Sequence, residues 1–451
     1  MTRGRASKRP VDLLEVGLMW PPETFLQWRF AGLAARGFRV TVASSDRRTP
    51  DARVDGAKLV ALPDWDEPRR AIAGGIAWGA LRLLLASPRR LVRLLIASRR
   101  AWRRSGRWSL SRAERRWRAL ARLRTFLALA RLRPDVVHFE WESAAVAHMP
   151  LLDVWRCPMV VSCHGTLQVW SHTATHVETT DELPRAFAAA AAVHCVSRAV
   201  QGEADRYGVD PAKVRLIPTA VDPTVFHPGP GRRAAGSRLR IVGIGWMKWL
   251  KGFEYAVEAV AELVRAGVPA RLDLLGGEPA PSSGEPGDRP RVQHAIDELG
   301  LTRHVRLHDH VSSSDVVAQL QRADVLLHPS LSEGLPTVVL EAMACGLPVV
   351  VTDCGGVREA VTDGVEGLVV PPREPLRMAA ALEALWREPE LRRRMGTAGR
   401  ARVERVFPLE RQIDAFVDLY DEITARGRGA TRAGSVAPGP PTTVPDSALR
   451  R

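Results

Sequence analysis

Lysine is almost missing from this chain. Five occur in 451 residues (Lys8, Lys58, Lys213, Lys248, Lys251), so arginine carries the formal net charge of +15. An arginine bias can reflect base composition of the gene alone. The bare charge therefore does not imply a nucleic-acid partner, and the informative quantity is where it sits. Cysteine is sparse too. Cys157, Cys163, Cys195, Cys345 and Cys354 show no C-x-x-C spacing and no even framework. That favours reduced thiols in the cytosol over a disulfide scaffold or a zinc site. No apolar run reaches the roughly 18 residues of a membrane span. The nearest approach, Ala71–Ser87, is broken by glycines and carries Arg82. The basic start, MTRGRASKRPVDLLEV, has no apolar h-region or small-residue cleavage site, so a secretory signal is not expected.

What is present is an α/β pattern. Val11–Met19 reads as a strand, Phe25–Arg36 as an apolar-periodic helix closed by Gly37, and Phe38–Ser44 as a second strand. This β-α-β opening is the usual start of an open parallel sheet. Asp135–Phe139, Met159–Cys163, Val193–Ser197 and Val214–Pro218 are further short strands. A polar Gly/Pro stretch, residues 227–237, is the natural linker between an N-terminal lobe (1–226) and a second lobe (238–405). The second lobe repeats the pattern: Leu239–Gly243, Arg271–Leu275, Asp324–His328 and Pro348–Thr352 as strands, Gly252–Ala266 and Pro336–Cys345 as helices. Residues 406–425 read as a C-terminal helix. The tail 426–451 lacks apolar periodicity and should be disordered.

Between the early strands lies an insert, residues 69–133. It holds 19 arginines and one acid, Glu114, a net +18 that exceeds the charge of the whole chain. Leucine, isoleucine and tryptophan recur between the arginines, as in SPRRLVRLLIASRRAWRRSGRW. This predicts amphipathic helices with a cationic face.

The chemistry concentrates in Pro329–Val351, PSLSEGLPTVVLEAMACGLPVVV. A buried strand ends, the loop SEGLP follows, and a helix begins with Pro336 near its first position, where a missing N–H costs nothing. Such a loop lies at the carboxyl end of a parallel strand, where open α/β sheets bind ligands. The free N–H groups of the helix start suit a phosphate, and Thr337 adds a hydroxyl. Glu333 and Glu341 flank that anion site with seven residues between them. Glu341, about one turn inside the helix, can accept two hydrogen bonds at once, as a ribose diol requires. Glu333, in the loop, can reach hydroxyls on a sugar beyond the phosphates. The bland alternatives are a loop charge and an exposed helix charge. His164, in MVVSCHGT, is delivered to a loop by a buried strand; a lone histidine there is otherwise structural. His172 and His176 have helical spacing but no third ligand, and Gly276–Gly277 is not a dinucleotide fingerprint.

The stretch containing Glu333 and Glu341, continuing through EAMACGLPVV into TDCGGVREAVTDGVEGLVVPP, resembles the Glu-x7-Glu signature of glycosyltransferase family four. The similarity runs from about residue 11 to 425. It implies a GT-B fold: two Rossmann-like lobes facing across a cleft, with a C-terminal helix crossing back. It further implies that Glu341 holds the nucleotide ribose, Glu333 the donor sugar, and Gly334, Leu335, Pro336 and Thr337 the sugar and diphosphate. IVGIGWMKWLKG (Ile241–Gly252) resembles the family's phosphate-binding element, in which Lys251 matches the lysine that neutralises the leaving group. The family's arginine is replaced by Trp246, with Lys248 as the nearby candidate substitute. His164 resembles the histidine that faces the donor sugar. Val196–Ser197 and Lys213–Phe226 match two further elements. The first loop, Trp20–Phe25, lacks the common Gly-Gly pair and resembles a subset from bacterial surface-polysaccharide assembly, of the colanic-acid type. Glu23 and Thr24 are read either as helix-start residues or as binders of donor or acceptor.

These readings predict a retaining, metal-independent glycosyltransferase with no cofactor beyond its nucleoside diphosphate sugar. The expected acceptor is a hydroxyl of a glycan or lipid-linked intermediate, and the enzyme should dock peripherally on the anionic inner membrane face through residues 69–133. Two other classes compete. One is a catalytically inactive GT-B scaffold, which the missing arginine favours. The other is a basic membrane- or nucleic-acid-binding protein, for which no zinc-finger, RNP-like or helix-turn-helix signature is present; no nucleic-acid partner is expected.

Overall fold

The computed structural model describes residues 9–45, 51–63, 68–104, 112–165, 177–229, 238–278, 287–309 and 311–433. His172, His176, most of the 227–237 linker and the tail beyond Ala433 lie outside the described residues. The chain builds two parallel sheets. The N-terminal lobe contains β1 (Val11–Val16), β2 (Phe38–Ser44), β3 (Ala57–Ala61), β4 (Val136–Phe139), β5 (Met159–Cys163), β6 (Ala192–Cys195) and β7 (Val214–Leu216) in the order β3-β2-β1-β4-β5-β6-β7. The C-terminal lobe contains β8 (Leu239–Ile244), β9 (Ala270–Leu275), β10 (Val305–His308), β11 (Val325–His328), β12 (Val349–Thr352) and β13 (Gly367–Val370) in the order β10-β9-β8-β11-β12-β13. Central strands such as β4, β5, β11 and β12 are apolar-rich and buried along their whole length, as a sheet covered by helices on both faces requires. In each lobe the strand order reverses beside the first strand, at β1/β4 and at β8/β11. The crevice outside the carboxyl ends at such a switch point is where ligands bind.

The Leu409–Ala433 helix returns to the N-terminal lobe. The crossing is pinned by Val221 and Pro408, where Val221 N donates to Phe407 O and Leu409 N to Val221 O, both at 3.0 Å. Ile413, Phe416, Leu419, Tyr420 and Ile423 then bury against Val11, Leu13, Phe30 and Phe38. The helix runs past residue 425, where the sequence reading ended it. It continues through the polar stretch RGRGATRA (426–433), after the apolar face has stopped.

The arginine-rich insert forms three helices, Arg69–Ala86, Pro88–Arg104 and Arg112–Leu129. Ile72, Leu83, Leu91, Leu94, Phe126 and Leu127 turn inward. A second apolar set faces outward, led by Trp78 at 60% and Leu85 at 77% exposure. Leu81, Leu84, Val92, Leu95, Ile96 and Trp102 accompany them. The first two helices therefore bury one apolar set and expose another alongside arginines. No helix among the described residues is long and apolar enough to cross a membrane.

Candidate active site

The C-lobe half of the site grows from β8 and β11. β8 ends at Ile244; Gly245, Trp246 and Lys248 follow, the last two half-buried. A 3-10 turn, Trp249–Lys251, then ends at Gly252 with φ +61°. A Cβ at Gly252 would stand 2.3 Å from the carbonyl of Pro329, so the turn closes onto the end of β11 only because that position is glycine. Gly276, after β9, has the same logic: a Cβ there would meet Gly245 O at 1.8 Å. This gives Gly276 a packing role.

The approach of the two loops delivers Lys251 to Glu333. Lys251 Nζ donates to Glu333 Oε1 at 2.6 Å. The same oxygen accepts from Ser330 Oγ at 2.7 Å and His328 Nε2 at 2.9 Å. Burial opposes ionisation of Glu333, but Lys251 and His328 outweigh it and hold the carboxyl well below the usual range. His328 and Ser330 are site residues that sequence reasoning passed over. His328 was read only as the last residue of a strand, and that end is what points it into the crevice.

Glu341 has the opposite environment. The helix spans Thr337–Ala344, with Pro336 at the N-cap rather than inside. Its first bonded amide is Val339; those of Thr337 and Val338 make no hydrogen bond among the described residues. Glu341, one turn on, is largely buried, and no hydrogen bond or ion pair to its carboxylate occurs among the described residues. Burial alone pushes its carboxyl up to about 7. An unpartnered acceptor thus sits one turn beyond two open donors.

The loop between them, Glu333-Gly334-Leu335, is threaded through glycines of both lobes. A Cβ at Gly334 would meet His164 O at 2.1 Å, one at Gly165 would meet Gly334 N at 2.6 Å, and one at Gly355 would meet Glu333 O at 1.7 Å. Gly334 O accepts from Ser197 Oγ at 2.9 Å and Gly356 N at 3.1 Å. Glu359 reaches across to the start of the Arg198–Asp205 helix, accepting from Arg198 N at 3.0 Å and Ala199 N at 3.1 Å.

The N-lobe half is led by His164, at the end of β5. Its Nε2 lies 3.0 Å from Glu140 Oε2, and its ring contacts Trp141 (5.0 Å between centroids) and Phe25 (5.9 Å). Thr24 is the first helical residue, not the N-cap. Glu23 holds the N-cap position without a side-chain cap bond. Thr24 Oγ1 instead lies 3.1 Å from Ser313 Oγ of the other lobe.

Beneath His164 lies a buried polar network invisible in the sequence. Arg29 binds Glu140 and lies 3.3 Å from Glu15. His138 lies 2.7 Å from both Tyr420 Oη and Ser162 Oγ, and burial pushes it down to about 3, so it is neutral. Glu15, His138 and Glu140 stand within metal-ligand distance of one another. Arg29 fills that cluster and both His138 nitrogens are engaged, so the residues do not fit a cation. A separate cleft of about 1270 Å³ opens at the amino ends of the C-lobe strands, away from the crevice. Two of its arginines are engaged with neighbours, Arg240 with Asp324 and Arg400 with the carbonyls of Phe226 and Ala344.

Comparison with known proteins agrees with the two-lobe division. The sequence profile described as Glycosyltransferase Family 4 matches residues 30–225, and that described as Glycosyl transferases group 1 matches 233–402. The D-inositol 3-phosphate glycosyltransferase of Kineococcus radiotolerans is 31% identical over 313 residues, covering 63% of this chain and 71% of that protein. The Streptomyces bingchenggensis protein of the same name is 29% identical over 321 residues, 67% and 69% of the two chains. Among solved structures, sucrose-phosphate synthase from Thermosynechococcus elongatus superposes with a TM-score of 0.71 at 19% identity, covering 92% of this chain and all (100%) of that one. Anabaena HepE, in complex with UDP and glucose, superposes at 0.66 and 15% identity, covering 91% and 100%.

Proposed function

The chain belongs to glycosyltransferase family four, and from that premise we propose that it moves a sugar from a nucleoside diphosphate sugar to an acceptor hydroxyl with retention at the anomeric carbon. The observation that carries the reading is the contrast between two carboxylates at one strand–loop–helix junction. One oxygen of Glu333 is held by Lys251, His328 and Ser330, whereas Glu341 is half-buried with no hydrogen-bond or ion-pair partner among the described residues. A carboxylate without a protein partner is open to a ligand's donors, and a ribose diol supplies two. In this reading the amides of Thr337 and Val338 face the diphosphate, with the Gly334–Pro336 loop beside the sugar. Lys251, with Lys248 near it, offsets charge on the departing diphosphate. Glu333 and His164 hold the sugar from opposite lobes. No metal is invoked, because cationic side chains and helix amides can stabilise the leaving group.

For the acceptor we favour a lipid-linked or glycan hydroxyl in surface-polysaccharide or glycolipid assembly, reached from the anionic inner face of a membrane. The outward apolar side chains of the 69–133 insert, set among arginines, support this. The names of the relatives support a second reading, a polyol phosphate acceptor. Incubation with a panel of nucleoside diphosphate sugars, with and without lipid-linked acceptors or inositol phosphate, separates them. Turnover only with inositol phosphate would select the second reading. A chain that binds no nucleotide and hydrolyses no donor would be an inactive scaffold.

A further inference from the structure

β4 ends in His138-Phe139 and Glu140 follows directly, so that His138 and Glu140 meet Glu15 of β1 and Arg29 of the Thr24–Ala35 helix. Glu140 is wholly buried and its oxygens are divided. Oε1 accepts from Arg29; Oε2 accepts from Arg29 Nη1 at 3.3 Å and faces His164 Nε2 at 3.0 Å. One guanidinium therefore serves two buried carboxyls. Burial and the neighbouring Glu140 raise Glu15 well above the usual range. Burial opposes ionisation of Glu140 as well, but the Arg29 guanidinium outweighs it and keeps it ionised. An ionised carboxylate has only acceptors, so the nitrogen facing it must carry the proton. The His164 ring is held by Trp141 and Phe25, and its other nitrogen, Nδ1, has no hydrogen bond among the described residues.

We propose that Glu140 is a positioning residue that locks His164 as the Nε2–H tautomer, so that the ring offers the cleft a bare Nδ1 as acceptor for a hydroxyl of the donor sugar. Only the last clause rests on the glycosyltransferase reading. The geometry also dictates what an isosteric amide does. Arg29 cannot give up its proton and demands an acceptor. In Glu140→Gln the single amide oxygen stays on Arg29 and the amide NH2 turns to His164. Nε2 must then be bare, and the proton moves to Nδ1, the nitrogen meant to accept.

The test is histidine side-chain 15N NMR of the full chain without ligand, in mildly alkaline buffer. His164 signals are assigned by their loss in His164→Asn. Wild type and Glu140→Asp should show the Nε2–H pattern, and Glu140→Gln the Nδ1–H pattern. In the sugar-transfer assay Glu140→Gln should lower kcat about tenfold or more, the worth of one hydrogen bond to an unpaired group. KM for the donor should change little, and Glu140→Asp should recover most of the rate. The wild-type spectrum alone can overturn the proposal: an Nδ1–H pattern there contradicts it whether or not the variants fold. So does a Glu140→Gln chain that keeps the wild-type pattern and rate. A wild-type chain with the Nε2–H pattern that turns over no nucleotide sugar overturns the functional reading and leaves the lock in place.

Discussion

Glu341 and Glu333 are the same residue type one short loop apart, yet their surroundings push them in opposite directions. Glu341 holds an extra proton in the folded state between the ordinary value of 4.5 and about 7. Stability therefore falls as pH rises through that window and stays lower above it. Glu341→Gln should stabilise the ligand-free chain at pH 8 by about 1–2 kcal/mol, discounted for partial solvation. It should also weaken nucleoside diphosphate binding, because Gln keeps only one acceptor oxygen. Urea unfolding with nucleotide titration checks both signs, and equal stability at pH 8 would remove the buried-acid account. Glu333 runs the other way. Its contribution is present above the ordinary carboxyl range and lost as pH falls below it. Lys251→Ala should shrink that acid sensitivity and lower turnover sharply, since one cation serves both Glu333 and the leaving group; unchanged turnover would remove Lys251 from the site. The roles of Glu333 and Glu341 could be argued from their spacing and context. Their contrasting environments could not, because His328 and Ser330 point at Glu333 only once β11 and its loop are built.

At the scale of elements, the loop carrying Glu333 holds its place because four positions lack a Cβ: Gly165, Gly334, Gly355 and Gly356. Gly334→Ala places a methyl 2.1 Å from His164 O, a backbone atom that cannot step aside. It should cost about 2 kcal/mol or more of stability, in the range of overpacking, and abolish transfer while sparing secondary structure. Circular dichroism, urea unfolding and the transfer assay separate these effects, and a fully active variant would show that the lobes need not approach there. The same scale explains which strands were legible. β4, β5, β11 and β12 were found because central parallel strands are continuous apolar runs. β3, β10 and β13 were missed, and all three are sheet edges. β3, AKLVA, is never fully buried, so no apolar run marks it. The Arg29–Glu140–His164 network was missed for a related reason: its members come from separate elements, and none carries a spacing that links them.

At the scale of the molecule, charge and apolar exposure coincide. The insert carries +18 of a chain total of +15, leaving 15 − 18 = −3 for the remainder. Arg82, Arg89, Arg99 and Arg100 are exposed on the two insert helices that present Trp78, Leu85, Leu95 and Trp102 outward. Arg90 differs, donating to the carbonyls of Ala130 and Leu132, both at 3.2 Å, and it should be left intact. Each basic residue near an anionic leaflet contributes about 1 kcal/mol. Changing the four exposed arginines to glutamate should abolish sedimentation with anionic vesicles while preserving thermal stability; equal sedimentation of both chains would remove the insert as the membrane contact. The central claim is the donor site at the β8/β11 switch point. Thermal unfolding of wild type and Glu341→Ala in UDP, GDP and ADP tests it most directly. Binding at about 100 times Kd adds about 2.7 kcal/mol to the folded state. At least one diphosphate should raise the wild-type Tm by several degrees and leave Glu341→Ala nearly unmoved. No shift with any of the three, or the same shift in both chains, would contradict the account.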